Sequence, residues 1–484
     1  MNDYELSLIK KNPKELGEEE TKRIYTLVAM CKKLLDVLSI IPNAPEEFKT
    51  SPKEFLKKWY IELSVEDAKF LALPDDPKEK IRIISNPKYI SEMPESFFRY
   101  RQYIMNKIAY RDRMINTLCV PDNEKLAIWR ERQINRCYNE LGGVNKAFVH
   151  AMVTYELADG CSVGCEFCGL NAGRLKQIFR YTPENAELFK GVLSVCREVF
   201  GNAAGYGMMY FATEPLDNPD YELFEDDFYA QFKQRPQITT AVCDRDIERT
   251  RAILRRIMDG SGFSHRFTIR SEEMARKVLD TLSASELLFV ELLPQYPEAP
   301  AFVPYVKVGK LKDDSYNEKA TGDAIKTNDD SGTIVCIDGF AINFCRKTIT
   351  VFTPCHESER HPKGIAEKEA VTFDSIEDFK SKLNMLIDKY FVNKLPEGTL
   401  QLYDFLYKDS SDNGEFLKSL SGVALKLDNG YMSFVVDLLS AGSYTKEEIA
   451  KRTVEKCNVT FEKVYWLLNN LWKKGFIKDR VFFD

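Results

Sequence analysis

Three thiols fall within eight residues, at Cys161, Cys165 and Cys168 of the run Gly160-Cys161-Ser162-Val163-Gly164-Cys165-Glu166-Phe167-Cys168-Gly169. Thiolates this close in sequence can converge on one metal centre, and the C-x3-C-x2-C spacing brings no fourth ligand with it. A structural zinc site takes four protein ligands, usually as paired sets, whereas a four-iron cluster held by three thiolates leaves one iron open. The pattern therefore points to chemistry at a cluster. Two alternatives stand beside it: a zinc site completed by a distant residue, and three thiols packed as small buried hydrophobes.

The composition bounds the setting. A chain of 484 residues with 44% apolar side chains can build two to four domains with sizeable cores. Its 68 basic and 74 acidic residues leave a net charge of −6, so no basic excess selects nucleic acid or an anionic membrane as partner. The N-terminus, Met1-Asn2-Asp3-Tyr4-Glu5, has no apolar secretion segment, and no run reaches the ~18 apolar residues of a membrane helix. A cytoplasmic protein is expected. The other cysteines are scattered singly, unlike the disulfide framework of a short secreted chain.

The elements that must position the thiols read as α/β. Residues 1–148 are mostly helical and charged, with amphipathic spacing from Thr21 to Leu38 and again from Phe97 to Asp112, and a loop at Pro74-Asp75-Asp76-Pro77. From Val149 short apolar runs alternate with capped helices. Ala151 to Leu157 is a strand feeding the cysteine loop, and Thr182-Pro183 is an N-cap followed by proline at the first helical position. Met208–Ala212, Ile238–Val242, Phe267–Ile269 and Leu287–Leu292 read as further strands with helices between them. Repeated βα units imply a parallel sheet, whose sites lie at the carboxyl ends of its strands.

The cysteine spacing, with Phe167 just ahead of the third thiol, resembles the signature of the radical S-adenosylmethionine (SAM) enzymes. The resemblance implies a partial (βα)6 barrel over residues 149–400, one 4Fe-4S cluster held by Cys161, Cys165 and Cys168, and SAM on its open iron. It carries over several residues. Glu214 of Ala212-Thr213-Glu214-Pro215 matches the motif whose carboxylate holds the SAM ammonium, although Ala212 and Thr213 replace its two glycines. Thr239 and Thr240, then Ser264 and Arg266, fall where ribose and carboxylate contacts occur, and Phe167 is expected near the adenine. On their own chemistry, Glu214 could be an exposed loop carboxylate, each Thr a β-branched strand residue, and Arg266 half of a surface ion pair.

A longer match, Tyr155 to Gly169 with Tyr181-Thr182-Pro183-Glu184-Asn185 and Ala212 to Glu222, is similar to the radical SAM peptide epimerases that mature proteusin-type ribosomal peptides. It implies conversion of L- to D-residues in a precursor peptide, with a ferredoxin or flavodoxin as electron donor. A thioether or carbon-carbon crosslinking enzyme is the alternative within that chemistry; a zinc-containing binding protein with a winged-helix tail is the alternative outside it. Epimerisation needs a hydrogen donor on the far side of the Cα radical, and a thiol suits. Cys355 is expected to fill that role, because Pro354 ends the apolar run Ile349–Phe352 and leaves Cys355 just past a strand's carboxyl end. Cys345 is the second candidate, otherwise a core or hairpin residue. His356, Glu357 and His361 read as solvated loop residues.

Residues 417–484 read as a separate unit. A turn at Asp428-Asn429-Gly430, a capping box at Thr445-Lys446-Glu447-Glu448, a long helix after Thr460 and a strand at Phe476-Ile477 resemble a winged helix. Its expected partner is the leader of the precursor, taken as an added strand.

Overall fold

Amphipathic spacing and capping residues set the helices. The computed structural model describes residues 17–72, 94–262, 264–312, 327–328, 332–411 and 414–479. The expected loop Pro74–Pro77 and most of the polar stretch Lys312–Ser331 lie outside them. The elements used below are helices α1 (Glu18–Ile40), α2 (Glu95–Arg113), α3 (Glu124–Leu141) and α4 (Pro183–Phe200), then α5 (Ile247–Arg255), α6 (Glu272–Thr281) and α7 (Ile376–Tyr390). The strands are β1 (Ala151–Glu156), β2 (Thr239–Thr240), β3 (His265–Ile269), β4 (Val290–Pro294), β5 (Ile337–Asn343), β6 (Thr348–Pro354) and β7 (Ile365–Thr372). α1 and α2 extend the two expected amphipathic helices, and Thr182 caps α4 by accepting the Asn185 N–H, with Pro183 at the first helical position.

The chain divides into two units. The first takes the residues up to Arg113, then Glu214–Glu225 and Lys233–Pro304. Its sheet is parallel, in the order β2-β3-β4. Alternation along β3 buries His265, Phe267 and Ile269 on one face, where Phe267 and Ile269 meet Val278 and Leu279 of α6 and Leu34 and Val37 of α1. α5 opens on an Asp246 cap and α6 on a Ser271 cap.

The second unit takes Met114–Thr213, Asp226–Phe232 and the chain from Tyr305 onward. Its main sheet runs β1-β5-β6-β7. β1 and β5 are parallel, whereas β6 is antiparallel to both β5 and β7. Every residue of β1 and β5 is buried, as expected of strands covered on both faces. Among the described residues the strands form separate sheets that do not close into a barrel, so the architecture is mixed α/β. Met208–Ala212, expected as a full strand, contributes one bridge, Thr154 with Met208. A 3-10 turn over Gly201–Tyr206 delivers it to β1 at close range, where a Cβ on Gly207 would stand 2.6 Å from the Val153 oxygen.

The C-terminal part of this unit has a three-stranded antiparallel sheet, β8 (Leu406–Ser411), β9 (Gly414–Ser419) and β10 (Ala424–Lys426). Helices α8 (Gly430–Ala441), α9 (Lys446–Cys457) and α10 (Phe461–Lys473) follow. They share a core that includes Leu417, Val435, Leu439, Ile449, Leu468 and Trp472. The Thr445/Glu448 capping box forms as read. Asn429, expected in a turn, instead caps α8 at Met432, so that helix starts before Phe434. Ile477 bridges Leu402. No helix among the described residues is long and apolar enough to cross a membrane.

His265 is 1% exposed. Its Nδ1 accepts the Ile238 N–H at 3.4 Å, and burial pushes its pKa down to about 3. The unfolded chain therefore binds a proton below pH ~6.5 that the folded chain refuses, so stability falls as pH falls through this window. We expect wild type to lose about 2 kcal/mol from this residue between roughly pH 6.5 and 5, and urea melts of His265→Gln over that range to show a flatter dependence.

Candidate functional site

β1 ends on a charge. Glu156 is 3% exposed in an otherwise apolar strand, and its carboxylate is shared between two chain segments. Oε1 accepts the Ala212 N–H at 2.8 Å and Oε2 accepts the Asn343 Nδ2–H at 3.1 Å. Asn343 lies opposite Glu156 in the parallel β1/β5 register and also donates to the Ala158 oxygen at 2.9 Å. Arg346 adds a cation 3.7 Å from Glu156 and 3.6 Å from Asp159. Burial pushes the Glu156 pKa up, against the lowering from these hydrogen bonds.

The cysteine loop leaves this strand end. It is pinned by backbone hydrogen bonds from Cys161 N–H to Gly173 O (2.9 Å) and from Lys176 N–H to Asp159 O (2.8 Å). Gly160 has φ +91°, and a Cβ there would stand 2.2 Å from the Arg174 oxygen, so the turn requires glycine. The thiols of Cys161 and Cys168 each receive a backbone N–H, from Val163 and Ala172, at 3.4 Å. Donors aimed at sulfur stabilise the thiolate form that iron requires and tune a cluster's potential. Lys310 clamps the loop from outside, its N–H on the Cys168 oxygen (3.1 Å) and its Nζ on the Cys165 oxygen (2.9 Å). All three cysteines are half-buried. The loop's donor set, three half-buried thiols, is chemically suited to iron.

Beside the loop lies a cavity of about 330 Å³. Gly160 and Leu170–Arg174 form one wall, Glu156, Asn343 and Arg346 another, and Thr350, Phe352, Ile365 and Glu367 the sheet face. Phe167, expected near an adenine, stacks on Tyr305 with ring centroids 4.7 Å apart and planes 10° from parallel.

The two candidate donors lie at opposite ends of β6. Cys345 sits in the hairpin between β5 and β6, at the sheet edge where β1 ends, its Sγ 3.6 Å from the Gln177 oxygen. Cys355 does follow the carboxyl end of its strand. Because β6 runs antiparallel to β5, and so opposite to β1, that end is the far edge of the sheet, roughly 20 Å along the strand from Cys345 at ~3.3 Å per residue. Alternation places Thr350 on the cavity beside the cysteine loop and Val351, Thr353 and Cys355 on another, with Phe352 lining both. Cys355 thus follows the carboxyl end of a strand that runs opposite to β1. Burial first, and nearby carboxylates second, push both thiols up to about 12, so each keeps its S–H at neutral pH.

The remaining expected residues belong to the first unit. Glu214 is 4% exposed rather than a solvated loop carboxylate. Its Oε1 accepts the Leu216 N–H (3.1 Å) and its Oε2 the Ala241 N–H (2.9 Å), while burial, the largest influence, pushes its pKa up. Thr239 and Thr240 form β2, paired with Arg266 and Phe267. The Ser264 oxygen accepts from Gln237 Nε2 at 2.5 Å. Arg266 is ion-paired to Glu291 at 3.3 Å, the alternative reading of that residue. Of the loop residues read as solvated, His356 and His361 are half-buried and Glu357 pairs with Lys312.

Cys137, His150 and Asp338 also converge, fully buried. His150 Nδ1 lies 2.7 Å from Asp338 Oδ2 and Nε2 lies 2.9 Å from Asn145 Oδ1. Both ring nitrogens are thus engaged with oxygen partners, leaving neither lone pair for an ion. This is an internal polar network that also ties in Thr353 and Arg136.

Sequence reasoning missed Glu156, Asn343, Arg346 and Lys310. A carboxylate closing an apolar strand was a legible signal for Glu156. Nothing local marks Lys310, which reaches the loop from 145 residues away.

Replacing Glu214 by Ala strands two buried N–H groups at about 1–3 kcal/mol each. Urea denaturation of Glu214→Ala is expected to show a loss of roughly 3 kcal/mol; unchanged stability would mean that the carboxylate serves a ligand alone.

No family model matches the chain, and no solved structure matches it. A relative of similar sequence is the uncharacterized protein y4wI of Sinorhizobium fredii, 32% identical over 358 residues that span 74% of this chain and 69% of that protein. The chain belongs to the same family as this Sinorhizobium protein.

Proposed function

We propose that the protein is a radical SAM peptide epimerase, built on a partial (βα)6 barrel and acting on a ribosomally made precursor. The observation that carries the reading is the cysteine loop: three half-buried thiols at C-x3-C-x2-C spacing, two of them facing backbone N–H donors, beside a cavity lined with polar side chains. When bound, a cluster and SAM supply one-electron cleavage of a sulfonium, leaving a carbon radical able to take a hydrogen atom from a peptide Cα. In this reading Cys161, Cys165 and Cys168 hold the cluster, and Glu214, Thr239, Thr240, Ser264, Arg266 and Phe167 are the SAM-facing candidates.

The chain's own part is to hold the peptide and return hydrogen. The cavity beside the loop offers Asn343 and Arg346 as polar contacts for a peptide. We assign hydrogen return to Cys345, which shares the sheet edge with the end of β1. Its S–H bond breaks as the inverted Cα–H bond forms, and the thiyl left behind takes one electron from a ferredoxin or flavodoxin and one proton from solvent. The C-terminal sheet and helices are read as the winged-helix element that holds the leader.

Co-expression with a precursor in deuterated water tests this. One solvent deuterium per inverted residue, with no other mass change, is the expected product. Cys161→Ala is expected to abolish it, and Cys345→Ala to abolish inversion while SAM cleavage continues. Loss of inversion only in Cys355→Ala would return the donor to that residue. A loss of two hydrogens from the peptide would mean crosslinking, and a colourless protein stoichiometric in zinc would mean a binding protein.

A further inference from the structure

The chain from Tyr305 to Lys312 lies across the cysteine loop as a strap. It begins with the Tyr305 ring stacked on Phe167 and ends in a 3-10 turn, Gly309–Lys312. The two chains meet backbone to backbone. Gly309 has φ +62°, and a Cβ there would stand 2.3 Å from the Gly169 oxygen and 2.6 Å from the Cys168 oxygen, so the approach requires glycine. Val308 and Leu311 are buried. The Gly309 N–H is held by the Pro362 oxygen at 2.8 Å, and Lys312 pairs with Glu357 at 2.5 Å. The strap is thus fastened, on either side of Lys310, to the segment that follows β6.

Lys310 is aimed at one turn of the loop. Cys165-Glu166-Phe167-Cys168 closes on a hydrogen bond from the Cys168 N–H to the Cys165 oxygen at 3.3 Å. Lys310 Nζ donates to that same oxygen at 2.9 Å. The Lys310 backbone N–H donates to the Cys168 oxygen at 3.1 Å, which also accepts the Asn171 N–H at 3.0 Å. The ammonium therefore sits on the turn that joins the second and third thiols. Lys310 is half-buried and makes no ion pair among the described residues. Glu166, the turn's own carboxylate, is exposed and is not paired with it. A neutral N–H would serve the Cys165 oxygen as a hydrogen-bond donor, so the charge is what this position adds. The potential of a cluster on thiolates follows its net charge, its hydrogen bonds and its exposure.

We infer that Lys310 is a positioning residue for the cluster of the proposed function, and that its ammonium, fixed on the Cys165–Cys168 turn, favours the reduced cluster and raises its potential. The inference rests on that reading. Reduction adds one electron, supplied by the ferredoxin or flavodoxin, and makes or breaks no bond. The negative charge it adds is what a nearby fixed cation stabilises. Holding the turn, the other effect of the strap, moves iron retention and leaves the potential where it was.

The test is a redox titration of the full chain loaded anaerobically with iron and sulfide, the reduced cluster being counted by electron paramagnetic resonance. Held at the wild-type midpoint, Lys310→Met is expected to show a reduced-to-oxidised ratio at least tenfold lower, a shift of about 59 mV for one electron. Lys310→Arg keeps the charge and is expected to stay within about threefold of wild type. Should Lys310→Met not load iron, Lys310→Gln, neutral but still an N–H donor, takes its place. An unchanged midpoint in the neutral variant, or failure of both neutral variants to load, would overturn the inference and leave a structural clamp. Equal shifts in Lys310→Arg and Lys310→Met would overturn it as well. A wild-type chain that takes up no four-iron cluster would overturn the proposed function and this inference with it, whereas a cluster whose potential ignores Lys310 overturns the inference alone.

Discussion

The hydrogen bond between the Glu156 carboxylate and Asn343, at the ends of two parallel strands, governs the candidate site. A carboxylate buried at 3% exposure is costly unless its oxygens are satisfied. Here the Ala212 amide and the Asn343 side chain satisfy them, so the segment after Met208, the end of β1 and the end of β5 are held at one point. The cysteine loop and the hairpin carrying Cys345 both leave from that point. The geometry of the thiols relative to the cavity therefore follows from where this charge is anchored.

A second constraint is strand direction. In an all-parallel barrel every strand would deliver its carboxyl end to the same edge. The hairpin at Cys345 reverses the chain, so β6 carries Cys355 away from the edge that Cys345 occupies. Two cysteines ten residues apart in sequence thereby lie at opposite ends of β6, with Cys355 in the lining of a cavity at its end. The bulge at Lys368 adds to the separation, because one extra residue resets which side chains of β7 face each cavity.

The elements were largely legible because their signals are local. α1 and α2 follow from apolar spacing, α4 from Thr182 and Pro183, and α9 from its capping box, each satisfied by contacts within a few residues. Met208–Ala212 read as a strand but makes one bridge, since strand pairing depends on partners distant in sequence. Glu214 was legible as a carboxylate in a motif; that each of its oxygens accepts a backbone amide, one of them 27 residues on, was not. Arg266 shows the same limit, its Glu291 partner being set by the β3/β4 register.

What the sequence by itself determined is the chemistry available: three thiols at C-x3-C-x2-C spacing, the glycine that lets their loop turn, and the start and stop of the long helices. These rest on residue type and short-range geometry. Only the tertiary structure decided which thiol shares an edge with that loop, that Glu156 and Lys310 serve it, and that Lys368 faces a separate cavity. Those outcomes depend on strand direction, register and burial, which arise from pairings that range from the neighbouring strands β5, β6 and β7 to residues more than a hundred positions apart.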